Sequence, residues 1–136
     1  GNLEMNVLIY ADENEKLWSY RNMFYEIREK KPYRMEITLT KSFATFINVS
    51  GFLQGGVDLL CYMMPAGQNI LDRLQRLACK QEDVLLVIHE AGELLWEYYQ
   101  EGNKEESGRL SVNDAQDLQD MAENLCDRLV ETKGVL

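Results

Sequence analysis

An α/β fold is what this sequence predicts: one doubly wound, five-stranded parallel sheet of order 2-1-3-4-5 with helices on both faces. Three observations carry that expectation. Short apolar runs, too brief for helices, recur at Val7–Ala11, Val57–Met63 and Val84–Ile88. Segments with helical spacing of apolar residues separate them. Strands alternating with helices imply a parallel sheet with right-handed crossovers, which leaves few topologies.

The elements follow in order. VLIYA (Val7–Ala11) reads as a strand buried on both faces. From Glu15 to Lys31, Leu17, Tyr20, Phe24 and Ile27 form a helical stripe, and Pro32 stops the helix. Met35, Ile37 and Leu39 alternate with polar residues, as in a strand at a sheet edge. Ser42 is suited to cap a second helix through Phe43, Phe46 and Ile47, closed by Gly51 and Gly55–Gly56. VDLLCYMMP (Val57–Pro65) is the central strand with its following loop. Gln68–Lys80 carries Ile70, Leu71, Leu74 and Leu77, a third helix. VLLVI (Val84–Ile88) is the fourth-position strand, followed by His89 and Glu90. Gly92–Gln100 is read as a fourth helix, Gly102–Gly108 as a polar loop and Arg109–Val112 as a weak fifth strand. Asp114 opens the last helix, with Leu118, Met121, Leu125 and Leu129 in one stripe. The whole is a flavodoxin-like three-layer sandwich.

At 136 residues the chain suits one domain, read as residues 5–136, with Gly1–Glu4, ahead of Met5, read as residues foreign to the natural chain and left out of the fold. The formal net charge of −9 disfavours a phosphate backbone, so no nucleic-acid partner is expected. Three scattered cysteines, Cys61, Cys79 and Cys126, fit neither a disulfide framework nor a zinc site. No basic leader and no apolar run of membrane length are visible, so the expectation is a cytoplasmic chain that does not enter membranes.

In such a sheet ligands bind beyond the carboxyl ends of the strands, at the switch point between strands one and three. Asp12 and Glu13 fall after strand one, Cys61 near the end of strand three, His89 and Glu90 after strand four, and Asn113 and Asp114 after strand five. Two adjacent carboxylates there offer oxygen ligands to a hard cation such as Mg²⁺. Flanking acids also simply solvate a loop. His89 is the only histidine and is expected in a loop; no Ser-His-Asp or Cys-His constellation and no glycine-rich phosphate loop follow from spacing. Cys61 is read as a small buried hydrophobe rather than a reactive thiol. Trp96, Tyr98 and Tyr99 crowd the expected fourth helix and are candidates for an interface as much as for the core.

At these residues the chain resembles bacterial response-regulator receiver domains. VLIYADENEKL is similar to their first strand and acidic pair, VDLLCYMMPAGQNILDRLQRL to their third strand, Met-Pro loop and third helix, and VLLVIHEAG to their fourth strand. The resemblance implies Mg²⁺ held by the acidic pair Asp12 and Glu13, and partner binding or homodimerisation through the face of helix four, strand five and helix five. It also implies an aspartyl phosphoacceptor, but that position is Cys61. The switch hydroxyl position is Ile88, and the lysine position is Asn113. A thiol forms no acyl phosphate, and without the lysine the developing charge beside Asp12 and Glu13 goes uncompensated. The expectation is a degenerate, non-enzymatic pseudo-receiver acting in signal transduction by protein contact. The alternative is a small-ligand or metal-binding sensor, or an enzyme, reusing the same cleft.

Overall fold

The computed structural model describes residues 4–49, 57–65, 84–90, 92–100, 103–111, 113 and 115–133. The elements are β1 (Glu4–Tyr10), α1 (Asn14–Lys30), β2 (Arg34–Thr40), α2 (Phe43–Val49), β3 (Val57–Pro65), β4 (Val84–Glu90), β5 (Leu94–Gln100), β6 (Asn103–Leu110) and α3 (Ala115–Lys133). The sheet has six strands in the order β2-β1-β3-β4-β5-β6. The first four run parallel, and β5 and β6 are each antiparallel to the neighbour before them.

The predicted five-stranded parallel sheet is therefore incorrect. The segment expected to be helix four is a strand, and the expected polar loop is another. Composition and pairing explain the difference. Seven residues, LLWEYYQ, make up β5, and α2 shows that this length also suffices for a helix, so length alone does not decide. Three of them are aromatic, which suits a pleated surface. As a strand, LLWEYYQ sends Leu94, Trp96 and Tyr98 to one face and Leu95, Glu97 and Tyr99 to the other. Gly92, at φ 77°, supplies the left-handed residue between β4 and β5. The pairing Gln100↔Asn103 then leaves two residues to connect β5 to β6. The expected fifth strand survives only as Arg109 and Leu110, the end of β6. Glu4, set aside from the sequence, belongs to β1 and pairs with Arg34. The expected third helix at Gln68–Lys80 and the glycine stops at Gly51 and Gly55–Gly56 lie outside the described residues.

The parallel half forms as its sequence dictates. Met5, Val7 and Ile9 of β1 meet Leu17, Tyr20, Phe24 and Ile27 of α1 in one core, joined by Met35, Leu86 and Ile88. Burying Phe24 alone contributes about 2–3 kcal/mol. On the opposite face Tyr10 packs edge-on against Phe43 at 5.8 Å and beside Phe46 at 5.7 Å. The Ser42 cap forms as expected, with the Thr45 N–H donating to Ser42 Oγ at 3.2 Å.

α3 completes the layer over α1, burying Leu118, Ala122, Leu125, Cys126, Leu129 and Val130. Polar contacts fix the two helices. The Lys31 ammonium donates to Asp127 at 2.8 Å and the Tyr33 hydroxyl donates to the same carboxylate at 3.0 Å. Lys30 approaches Glu123 of α3 at 3.8 Å. The bond to Asp127 raises the Lys31 pKa above its usual value. Burial first, and then the surrounding negative charge, raises that of Tyr33.

Candidate functional site

The carboxyl ends of β1, β3 and β4 form one edge, as the sequence predicts. The register puts Cys61 between Ile9 of β1 and Leu86 of β4, in the middle of the sheet. Asp12 and Glu13 are exposed in the turn into α1. Glu13 occupies the N-cap position with no side-chain cap bond, and its carbonyl accepts the Leu17 N–H at 3.0 Å. Asp12 reinforces the raised pKa of Tyr10, whose main cause is burial of the phenol.

The sequence reading missed the cation at this edge. Lys16, in the first turn of α1, forms an ion pair with Glu90 at the end of β4. Both side chains are about one-third exposed, at 32% and 29%. The pair crosses over the end of β3, because β1 and β4 flank that strand. Its signal in the sequence was the lysine one turn after the acidic pair, which register alone connects to Glu90. The lysine is already matched to a carboxylate, so the edge carries more acid than base.

Two other positions implied by the resemblance are ordinary. Ile88 is fully buried in the core beneath α1 and α3. Asn113 lies exposed beyond β6, and its N–H donates to Ser111 Oγ at 3.3 Å. β6 is four strand spacings from β1, or roughly 19 Å, so Asn113 and the acidic pair do not share a site. Among the described residues, no group of three or more His, Cys, Asp or Glu side chains converges as a metal site. Asp12 and Glu13 alone are a thin donor set for Mg²⁺, which takes octahedral oxygen coordination. Cys126 is buried in α3 and packs as a hydrophobe.

A second polar cluster was not anticipated. His89 is not in a loop but is the penultimate residue of β4. Its Nε2 lies 2.6 Å from Glu97 Oε1 on β5. The other carboxylate oxygen accepts from the Tyr99 hydroxyl at 3.0 Å and faces the Lys104 ammonium at 3.4 Å. Partial burial opposes the charge on Glu97. The Tyr99 and His89 hydrogen bonds and the Lys104 cation outweigh it and hold the carboxyl below its usual range. Only strand register joins these groups. A helix over Gly92–Gln100 would have turned Glu97 away from β4, so no helical reading could find them.

A shallow groove of about 360 Å³ opens beside this cluster, lined by His89, Leu95, Glu97, Ser107 and Arg109 among others.

The expected interface aromatics separate. Tyr98 and Tyr99 are core residues, 7% and 2% exposed. Trp96 is half-buried and lies across Gly108 of β6, its register partner. A Cβ at Gly108 would stand 2.6 Å from the indole Nε1. The face of helix four, strand five and helix five implied by the resemblance is absent, because β5 takes the place of that helix.

A scan against protein-family models finds no match, and no curated protein matches the chain. No helix among the described residues is long and apolar enough to cross a membrane.

Proposed function

We propose that the domain is a receiver-like signal-transduction module that does not use aspartyl phosphorylation and works by protein contact. One observation carries the reading. Cys61, mid-strand in β3 and paired with Ile9 and Leu86, stands at the position that the resemblance assigns to the phosphoacceptor, where phosphoryl uptake needs a carboxylate. The Lys16–Glu90 pair supports it, since the cation at this edge is committed to an acid of the same chain. Asp12 and Glu13, after β1, stand exposed, and two such carboxylates repel an incoming phosphoryl group unless a metal intervenes.

The test is incubation with a small-molecule phosphodonor and Mg²⁺, followed by intact-mass measurement. The expected result is no adduct. A hydroxylamine-labile phosphoryl group on a carboxylate overturns the reading.

A further inference from the structure

The outer flank of α1 carries a stripe of aromatic and cationic side chains. Trp18, Arg21, Tyr25 and Arg28 follow one another at helical spacing. The Arg21 guanidinium lies 3.8 Å from the centre of the Trp18 ring and 5.1 Å from that of Tyr25, and the Arg28 guanidinium lies 4.4 Å from the centre of the same Tyr25 ring. Trp18 is 48% exposed, and among the described residues it is the one large hydrophobic side chain so exposed. Stacked cations hold these rings ready without a further loss of rotamer freedom. Trp, Tyr and Arg are also the residue types that dominate interface energetics.

The complement of this stripe lies on the same chain. Between the β5–β6 hairpin and α3 runs an open groove of about 730 Å³. Trp96, Leu110 and Met121 give it apolar surface, and Asp117 and Glu131 add acid beyond the pairs Glu106–Arg128 and Asp127–Lys31. Arg128 is itself spent on Glu106, at 2.5 and 2.9 Å. Asp117, Met121, Asn124, Arg128 and Glu131 form one face of α3, extending roughly 21 Å at 1.5 Å per residue. The stripe from Trp18 to Arg28 extends roughly 15 Å by the same rise, so it fits within that length.

The two surfaces lie at opposite ends of the helical layer. Lys30, which reaches Glu123 of α3, projects from nearly the opposite side of α1 to the stripe. The stripe therefore faces away from α3. The groove lies on the flank of α3 turned towards the hairpin. One molecule cannot close the two on each other. Resting on the contact-module reading above, we infer that a second copy of this chain docks its Trp18–Arg28 stripe into the acidic groove of the first. The contact is heterologous, so it continues head to tail rather than closing as a two-fold dimer.

The experiment is sedimentation velocity on the whole chain over a range of concentrations. The wild type is expected to show a concentration-dependent increase in mass that added salt weakens. Arg21→Gln with Arg28→Gln removes the stripe's cations, and Asp117→Asn with Glu131→Gln removes acid from the groove, neutral changes that leave the two altered surfaces uncomplementary to each other. Each is expected to weaken association about tenfold or more, with circular dichroism checking that the fold persists. An equimolar mixture of the two variants retains one intact stripe and one intact groove. It is expected to form a 1:1 dimer that grows no further. A monomeric wild type, or association that the mixture does not recover, overturns the inference. The phosphodonor result is independent of both, so failure of the docking and failure of the functional reading are told apart.

Discussion

The two halves of the sheet solve different problems. In the parallel half, β1 is buried on both faces: Val7 and Ile9 are fully hidden under α1, and Leu8 is 1% exposed on the other side. Such a strand leaves little room for polar side chains, Asn6 being the buried polar residue within it. In the hairpin half, β5 hides Tyr98 and Tyr99 yet carries Glu97 on the sheet surface, and β6 is exposed along most of its length. The side-chain polar network of the sheet face belongs to this half.

The hairpin also leaves an edge to defend. β6 carries Lys104, Glu105, Glu106 and Arg109, and charged side chains discourage pairing with another chain. The register shifts between Tyr98 and Tyr99, which pair with Glu106 and Lys104 and leave Glu105 over. That bulge increases the local twist and further spoils the edge as a template.

The contrast predicts a graded response to substitution. Phe24→Ala, in the parallel core, is expected to cost about 3–5 kcal/mol in urea unfolding. A loss well below 2 kcal/mol would mean that this half is not the cooperative core. Gly108→Val, in the hairpin, forces a side chain against the Trp96 ring and is expected to cost about 1–3 kcal/mol. Its effect should shrink in a Trp96→Ala background, and a double-mutant cycle with no coupling would break the proposed packing.

Glu97 provides the pH test. Its pKa is lowered on folding, so it stabilises the native state above the unfolded carboxylate value of about 4.3. That contribution disappears as pH falls through the lower folded value. Glu97→Gln is therefore expected to destabilise at pH 7 by about 1–2 kcal/mol and to flatten the acid limb of a Tm-against-pH curve. An unaltered acid limb would place the network outside the folding equilibrium. The smallest effect is expected at Arg128–Glu106, an exposed pair. Breaking it with Arg128→Ala should cost no more than about 1 kcal/mol by thermal unfolding, less at high salt.

Legibility in the sequence follows the same division. The stripe Leu17–Tyr20–Phe24–Ile27, the Ser42 cap and the apolar runs of β1, β3 and β4 were readable because each is a local pattern with one period. LLWEYYQ failed because a seven-residue segment rich in large apolar groups fits a short helix and a strand alike. Asp12 and Glu13 were singled out by their place after the first strand, and Cys61 and Ile88 by the resemblance. The side-chain pairs were not read: Lys16 with Glu90, and His89 with Glu97, lie 74 and 8 residues apart in the chain.

The sequence by itself determined the apolar runs of β1, β3 and β4 and the stripe of α1 that packs on them. It also determined the charge and the aromatic-cationic spacing of α1. Only the tertiary structure decided that β5 joins the sheet antiparallel to β4. Strand pairing is non-local: the backbone groups of LLWEYYQ are satisfied by β4 and β6, not within the segment. That pairing moves Asn113 a strand further from the acidic edge, builds the Glu97 cluster and opens the groove beside α3.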